Sequence, residues 1–340
     1  MIRTVLGDVS ADAVGPALLH EHVLFDIVPP GAAGDRHADI AVPDRWQVDY
    51  RSNECAANAL QRDEAAATAE LARYAQDGGA LIVDQSVFGL ARDPAGLARV
   101  SAASGIHVVA CAGTYVEPYV PEPVRALSAG ALADRFTTEV ATGCDGTPIR
   151  AGLIGEMGCS WPLTAFETRA LEAAAEAQAR TGAAISVHPG RHETACAQIL
   201  DILAANGADL TRVILCHMDR THPDGTGILP LLERGAVVEW DFFGVETSHY
   251  WMTDEVELPT DLARLRLIRS FADHGFGGQI AVSHDICTKT RLRQWGGHGY
   301  GHILRNVTAL MHRLAFPQSL IDALIRDTPL RLLNVKEIPQ

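Results

Sequence analysis

The stretch TAFETRALEAAAEAQARTGAAISVH, residues 164–188, decides the fold. Ala165 to Arg180 is rich in alanine, glutamate and arginine, begins after Thr164 and stops at Gly182, the residue types that open and close an α-helix. Ile185-Ser186-Val187-His188 follows as a short apolar run ending in a polar residue. A helix feeding a continuous apolar strand is the unit of a parallel sheet covered by helices on its faces.

The same unit recurs in both directions along the chain. Strands are predicted at Ala17–His22, Ala80–Ser86, His107–Thr114, Gly152–Gly158, Ala184–His188, Arg212–His217, Ala236–Asp241 and Gln279–Asp285, which makes eight. Helices are predicted at Ala57–Gln76, which stops at Gly78-Gly79, and at Thr194–Asn206, Asp261–His274, His302–Leu314 and Gln318–Arg326. Eight repeats in 340 residues favour a closed (β/α)8 TIM barrel of the α/β class over an open sheet, with residues 1–340 as one domain. Val23 to Cys55 lacks periodicity and contains Pro29-Pro30-Gly31 and Pro43, so a long loop is expected after the first strand.

Composition narrows the partners. Forty-two acidic against 28 basic residues give a net charge of −14, which repels polyphosphates and leaves no basic stripe for nucleic acid. Seven cysteines without a C-x-x-C pair argue against a disulfide framework and against a thiolate zinc site, and fit a reducing compartment. No run approaches the ~18 apolar residues of a membrane span, and Met1 to Gly15 lacks a signal-peptide core. The expectation is a cytoplasmic protein that acts on a small molecule.

The chemistry is legible where the strands end. In a barrel of this kind the loops and catalytic groups converge at the C-terminal rim. His20, His22, Glu156, His188, His217 and Asp285 all fall there despite their separation in sequence. His20 and His22 are two residues apart and point to the same side of an extended strand, so one cation can bind both. Glu156 sits between glycines in Ile154-Gly155-Glu156-Met157-Gly158 and has two carboxylate oxygens, enough to join two metals. Four histidines and two carboxylates suit zinc, and also manganese, cobalt or nickel, better than calcium or magnesium.

Each residue also has a plainer reading. A lone strand-end histidine usually hydrogen-bonds a neighbouring loop, a strand-end aspartate such as Asp285 often caps the next helix, and Glu156 can be the partner of a buried arginine. Six such residues meeting at one rim favour a two-metal centre over six unrelated coincidences.

The motifs resemble the phosphotriesterase family of the amidohydrolase superfamily, and most closely its phosphotriesterase-related branch. The resemblance runs through Leu19-His20-Glu21-His22, Gly155-Glu156-Met157-Gly158-Cys159-Ser160-Trp161-Pro162-Leu163, Val187-His188-Pro189-Gly190, Cys216-His217-Met218-Asp219-Arg220-Thr221, Ser283-His284-Asp285 and Gly296-Gly297-His298-Gly299-Tyr300. It implies that His20, His22 and Asp285 hold a more buried metal, that His188 and His217 hold a more exposed one, and that Glu156 bridges them together with a hydroxide. It also implies a homodimer.

Two departures from the best-known phosphotriesterases bear on the substrate. Glu156 stands where they carry a carboxylated lysine, as it does in the related branch, which puts phosphotriester hydrolysis in doubt as the main activity. Arg220 replaces an acidic residue that helps to shuttle protons in the organophosphate enzymes, and a fixed cation at the mouth favours a carboxylate, sulfonate or phosphate group. The alternative for Arg220 is a salt bridge to Asp219 or Asp224.

The resulting expectation is a binuclear hydrolase that uses a metal-bridging hydroxide to cleave a carboxylic ester, lactone or amide of an anionic small molecule. Asp285 is the proton acceptor, and Tyr115, Arg220, Trp251 and Trp295 are candidates for lining the pocket. The alternatives are an organophosphate hydrolase, a one-metal deaminase-like enzyme and a small-ligand-binding barrel without catalysis.

Overall fold

The chain's structure, a computed structural model, describes residues 1–335 apart from Ser248. Eight parallel strands run in chain order around a nearly closed barrel: β1 (Ala17–Glu21), β2 (Leu81–Asp84), β3 (His107–Ala112), β4 (Leu153–Gly158), β5 (Ile185–His188), β6 (Val213–Leu215), β7 (Val237–Trp240) and β8 (Ile280–Val282). Each pairs with the next, from Ala17 opposite Leu81 to Trp240 opposite Val282. The seam between β8 and β1 is fastened by single residues. Ser283 Oγ donates to the His20 carbonyl at 2.8 Å and accepts from the His20 amide at 3.1 Å, and the Asp285 amide donates to the same carbonyl at 3.1 Å.

Side chains alternate along the strands as a barrel requires. Leu81, Val83, Val109, Cys111, Leu153, Ile214, Val237 and Ala281 fill one buried cluster inside the barrel. Ile82, Val108, Ile154, Ile185, Leu215, Val238 and Ile280 belong to a larger cluster under the surrounding helices. The alternation breaks twice, by register irregularities between Leu18 and Glu21 in β1 and between Ile154 and Met157 in β4. Such irregularities re-aim side chains, and these two fall at His20 and Glu156.

The predicted helix after Thr164 spans Ala165–Thr181, with a capping box between Thr164 and Glu167 and Gly182 left-handed at its end. Elsewhere the boundaries move. The helix expected from Ala57 begins at Glu64, because Asp63 accepts from the Ala65 and Ala66 amides, and Leu60–Gln61 pairs with Phe25–Asp26 instead. Two helices at Pro94–Ser104 and Ala129–Ala141 lie outside the helices predicted above. The segment from Val23 to Cys55 holds Phe25–Asp26 and a six-residue helix, Arg45–Tyr50. None of the helices among the described residues is long and apolar enough to cross a membrane.

Candidate metal centre

The six rim residues meet. His22 Nε2 lies 3.4 Å from Glu156 Oε1 and 3.3 Å from Asp285 Oδ1. His20 Nε2 is 3.8 Å from Glu156 Oε2 and 3.7 Å from Asp285 Oδ1. On the other side, His188 Nδ1 is 2.9 Å from Glu156 Oε2 and 2.9 Å from His217 Nε2. The donor atoms of His20, His22 and Glu156 fall within 4.8 Å of one another, and so do those of Glu156, His188 and His217, so the one carboxylate belongs to both groups.

Local sequence accounts for much of this geometry. At Gly155, φ is +131°, and a Cβ there would lie 2.2 Å from the Ser186 carbonyl oxygen, so only glycine lets β4 turn Glu156 inward against β5. His217 and Asp285 are held at φ of 58° and 49°, a conformation uncommon for residues with a side chain and frequent at functional sites. Both stand just past the ends of their strands, β6 and β8, where the backbone is free to take it.

The rings are also oriented from behind. Asp241 accepts from the His217 amide at 3.0 Å, lies 2.9 Å from His217 Nδ1 and 3.3 Å from His20 Nδ1. Ser86 Oγ contacts His22 Nδ1 at 3.1 Å. Outer hydrogen bonds thus set the rings of His217 and His22 with Nε2 facing the cluster, as they do for metal-binding histidines, while Asp241 approaches His20 Nδ1 without hydrogen-bond geometry. Asp241 ends the seventh predicted strand, so its position was readable, but nothing marked it as different from any strand-end acid.

The chemistry of the donor set fits divalent cations. Both ring nitrogens of His20 are buried without a hydrogen-bond partner, which a native interior rarely tolerates. Burial, and then the charge of His217, hold His188 well below the usual imidazole value, so it is in the neutral form a cation needs. Burial alone would push Glu156 up, but hydrogen bonds from His188 and His217 and the charge of His20 hold its carboxyl well below the ordinary range.

Above the cluster opens a cavity of about 450 Å³, lined by Tyr115, Arg220, Trp251, Arg191 and Phe242 together with His22, Glu156, His188, His217 and Asp285. Arg220 is 2% exposed and donates to the Pro189 carbonyl at 2.8 Å and to Thr221 Oγ1 at 3.2 Å. Neither carboxylate offered as its alternative partner pairs with it. Asp219 pairs with the fully buried Arg264 and accepts from the Asp241 amide, and Asp224 accepts from the Thr226 amide. Trp295 does not line the cavity; it is half-buried under Lys289, whose ammonium sits 5.6 Å from the ring centre. Arg191 and Tyr250, joined at the mouth by a 2.9 Å hydrogen bond, were not among the expected contacts.

Comparison with known proteins agrees with this architecture. Residues 1–333 match the model of the phosphotriesterase family. The human N-acetyltaurine hydrolase is 35% identical over 342 residues, covering 98% of both chains. A resiniferatoxin-binding protein from Rhodobacter sphaeroides superposes with a TM-score of 0.91 at 34% identity, covering 98% of this chain and 94% of its own. The phosphotriesterase homology protein from Escherichia coli, solved with phosphate in its active site, gives a TM-score of 0.77 at 26% identity, covering 94% of this chain and 99% of its own. The chain therefore belongs to the phosphotriesterase family and is a hydrolase of that family.

Proposed function

We propose that this hydrolase cleaves the amide bond of a small N-acylated amino acid or amino sulfonate, with two divalent cations held at the barrel mouth. The observation that carries the reading is Arg220, a buried guanidinium that faces the reaction cavity without a carboxylate partner among the described residues. A charge buried in that way costs several kcal/mol unless a ligand neutralises it, and a planar guanidinium suits a carboxylate or sulfonate. The relatives at 34 to 36% identity act on N-acetyltaurine by name, an amide that ends in a sulfonate.

His20, His22 and Asp285 are assigned to the inner cation, His188 and His217 to the outer one, and Glu156 to both; zinc is the first candidate, with manganese, cobalt or nickel as substitutes. Such a pair would supply hydroxide near neutral pH and would polarise the scissile carbonyl. Asp285 has one oxygen toward His20 and His22 and the other 4.0 Å from His217, a position from which it takes the proton of the attacking water and delivers it to the leaving nitrogen. Arg220 holds the anionic end of the substrate, and Tyr115 and Trp251 form walls that keep bulk water from the amide. The working unit is taken to be a homodimer in the cytoplasm.

The test is a panel of N-acyl taurines, N-acyl amino acids, neutral amides, lactones and phosphotriesters, assayed with wild type and Arg220→Gln. Loss of the charge is expected to raise KM for the anionic amides about tenfold or more and to leave the neutral amides within about twofold. An equal effect on both classes defeats the assignment. Elemental analysis is expected to give two metals per chain, and one metal per chain points to the deaminase-like alternative.

A further inference from the structure

Behind the wall formed by Phe242 and Trp251 lies a second, smaller chamber of about 190 Å³. It shares Ser52, Trp251 and Thr288 with the main cavity and is roofed by the Arg45–Tyr50 helix. Its floor is made by Arg291 and His298, which belong to neither the metal cluster nor the contacts assigned to Arg220.

Arg291 is 6% exposed. One terminal nitrogen, Nη1, donates to the carbonyls of His284 at 3.0 Å and of Asp285 at 2.5 Å. The other, Nη2, is buried and has no partner. His298 beside it has the opposite valence: Nδ1 donates to the Gly299 carbonyl at 3.1 Å, so Nε2, buried without a partner, carries the lone pair of a neutral ring. Gly244 closes the floor so tightly that a Cβ there would lie 2.6 Å from the His298 ring.

The surroundings do not neutralise the guanidinium. The two carboxylates on the chamber wall are engaged elsewhere, Asp49 by Arg45 at 2.9 Å and Glu246 by the Asp261 amide at 2.9 Å. Burial, and then its neighbours His284, Arg291 and His302, hold His298 well below the usual imidazole value, so its ring is neutral and the charge left uncompensated is that of Arg291. The faces of Phe242 and Trp251, 5.6 and 5.7 Å from the guanidinium carbon of Arg291, stabilise the charge but give Nη2 no acceptor. An unpaired buried donor is destabilising, and a charged one more so.

We propose that this side chamber is a binding subsite for a small oxyanion, a carboxylate, sulfate or sulfonate group, gripped by Arg291 Nη2. The volume admits such a group together with water. Because Arg291 also holds the backbone of Asp285, occupancy of the chamber is tied mechanically to the residue assigned to proton transfer. The inference does not depend on the amide reading, since binding is measured without substrate.

Sulfate is titrated calorimetrically into the metal-loaded wild type and into Arg291→Gln and Arg220→Gln. Crystals of the metal-loaded wild type are soaked in selenate and its anomalous scattering is located. The expected results are a selenium peak in the side chamber beside Arg291 Nη2, and a sulfate affinity weakened about tenfold or more by Arg291→Gln and retained in Arg220→Gln. Selenate confined to the metals or to Arg220, or an Arg291→Gln protein that binds sulfate like wild type, overturns the proposal. Should Arg291→Gln fail to fold after losing its grip on Asp285, the position of selenium in the wild-type crystal decides alone.

Discussion

His20 and His284 are both fully buried histidines at the seam of the barrel, one on each side, and they are opposites. Both ring nitrogens of His284 are in use: Nδ1 lies 2.7 Å from Glu21 Oε1, and Nε2 accepts from the Ile303 amide at 3.1 Å. Glu21 in turn accepts from the Ser283 hydroxyl and from the His284 and Ile286 amides. His20 has neither nitrogen hydrogen-bonded, and four carboxylates, Glu156, Glu239, Asp241 and Asp285, lie 3.3 to 3.8 Å from its ring nitrogens. Burial and titratability are therefore common to both, and valence left over separates a brace from a binding site.

That contrast can be broken at its two ends. Asp285→Asn is expected to keep substantial metal and to lower turnover by about 100-fold or more, the usual loss when general-base work is removed; turnover near the wild-type rate would take the proton-accepting role away from Asp285. Glu156→Gln is expected to lower bound metal from two per chain toward one, measured by elemental analysis, and an unchanged count would show that Glu156 does not join the two groups.

The histidines themselves give the sharper comparison. His20→Asn is expected to cost metal and activity, as read by elemental analysis and turnover. His284→Leu is expected to leave metal content intact and to cost about 3 kcal/mol in denaturant unfolding, because Glu21 loses a buried partner. If both substitutions changed metal binding alike, the distinction between the two rings would fall.

The smallest effect concerns a second satisfied carboxylate. Burial works against the ionised form of Asp261, but His302 at 2.7 Å and Arg264 at 2.8 Å outweigh it and hold its pKa down at about 2. A depressed carboxyl contributes stability above its unfolded value of about 3.9 and loses it as pH falls through the folded one. Between about pH 4 and pH 2 the wild type is therefore expected to lose about 2 kcal/mol more than Asp261→Asn, as followed by urea denaturation. Parallel curves for the two proteins would refute the linkage.

The barrel and the six rim residues were readable because periodicity and strand ends are local signals. Helix and strand alternated from Ala17 onward, and polar residues stood where the strands stop. The failures have physical causes. Ala57–Ala59 looked helical because alanine favours helices, yet the cap that starts the helix is Asp63 and the residues before it pair with Phe25–Asp26. The irregularity that aims Glu156 depends on the space beside Ser186, which no local pattern reveals. Asp219 was offered as a partner for Arg220, but neighbours in a helix do not face each other, and Asp219 pairs instead with Arg264, 45 residues away. Trp295 was placed on the mouth by its loop alone, and its ring packs beside Lys289.

The fastening of β1 to β8 by Ser283 joins residues 263 positions apart. A chain ended before Asp285 would carry His20 and His22 but lack the carboxylate that meets them, so the rim cluster is assembled only when the first and last strands have been buttoned together.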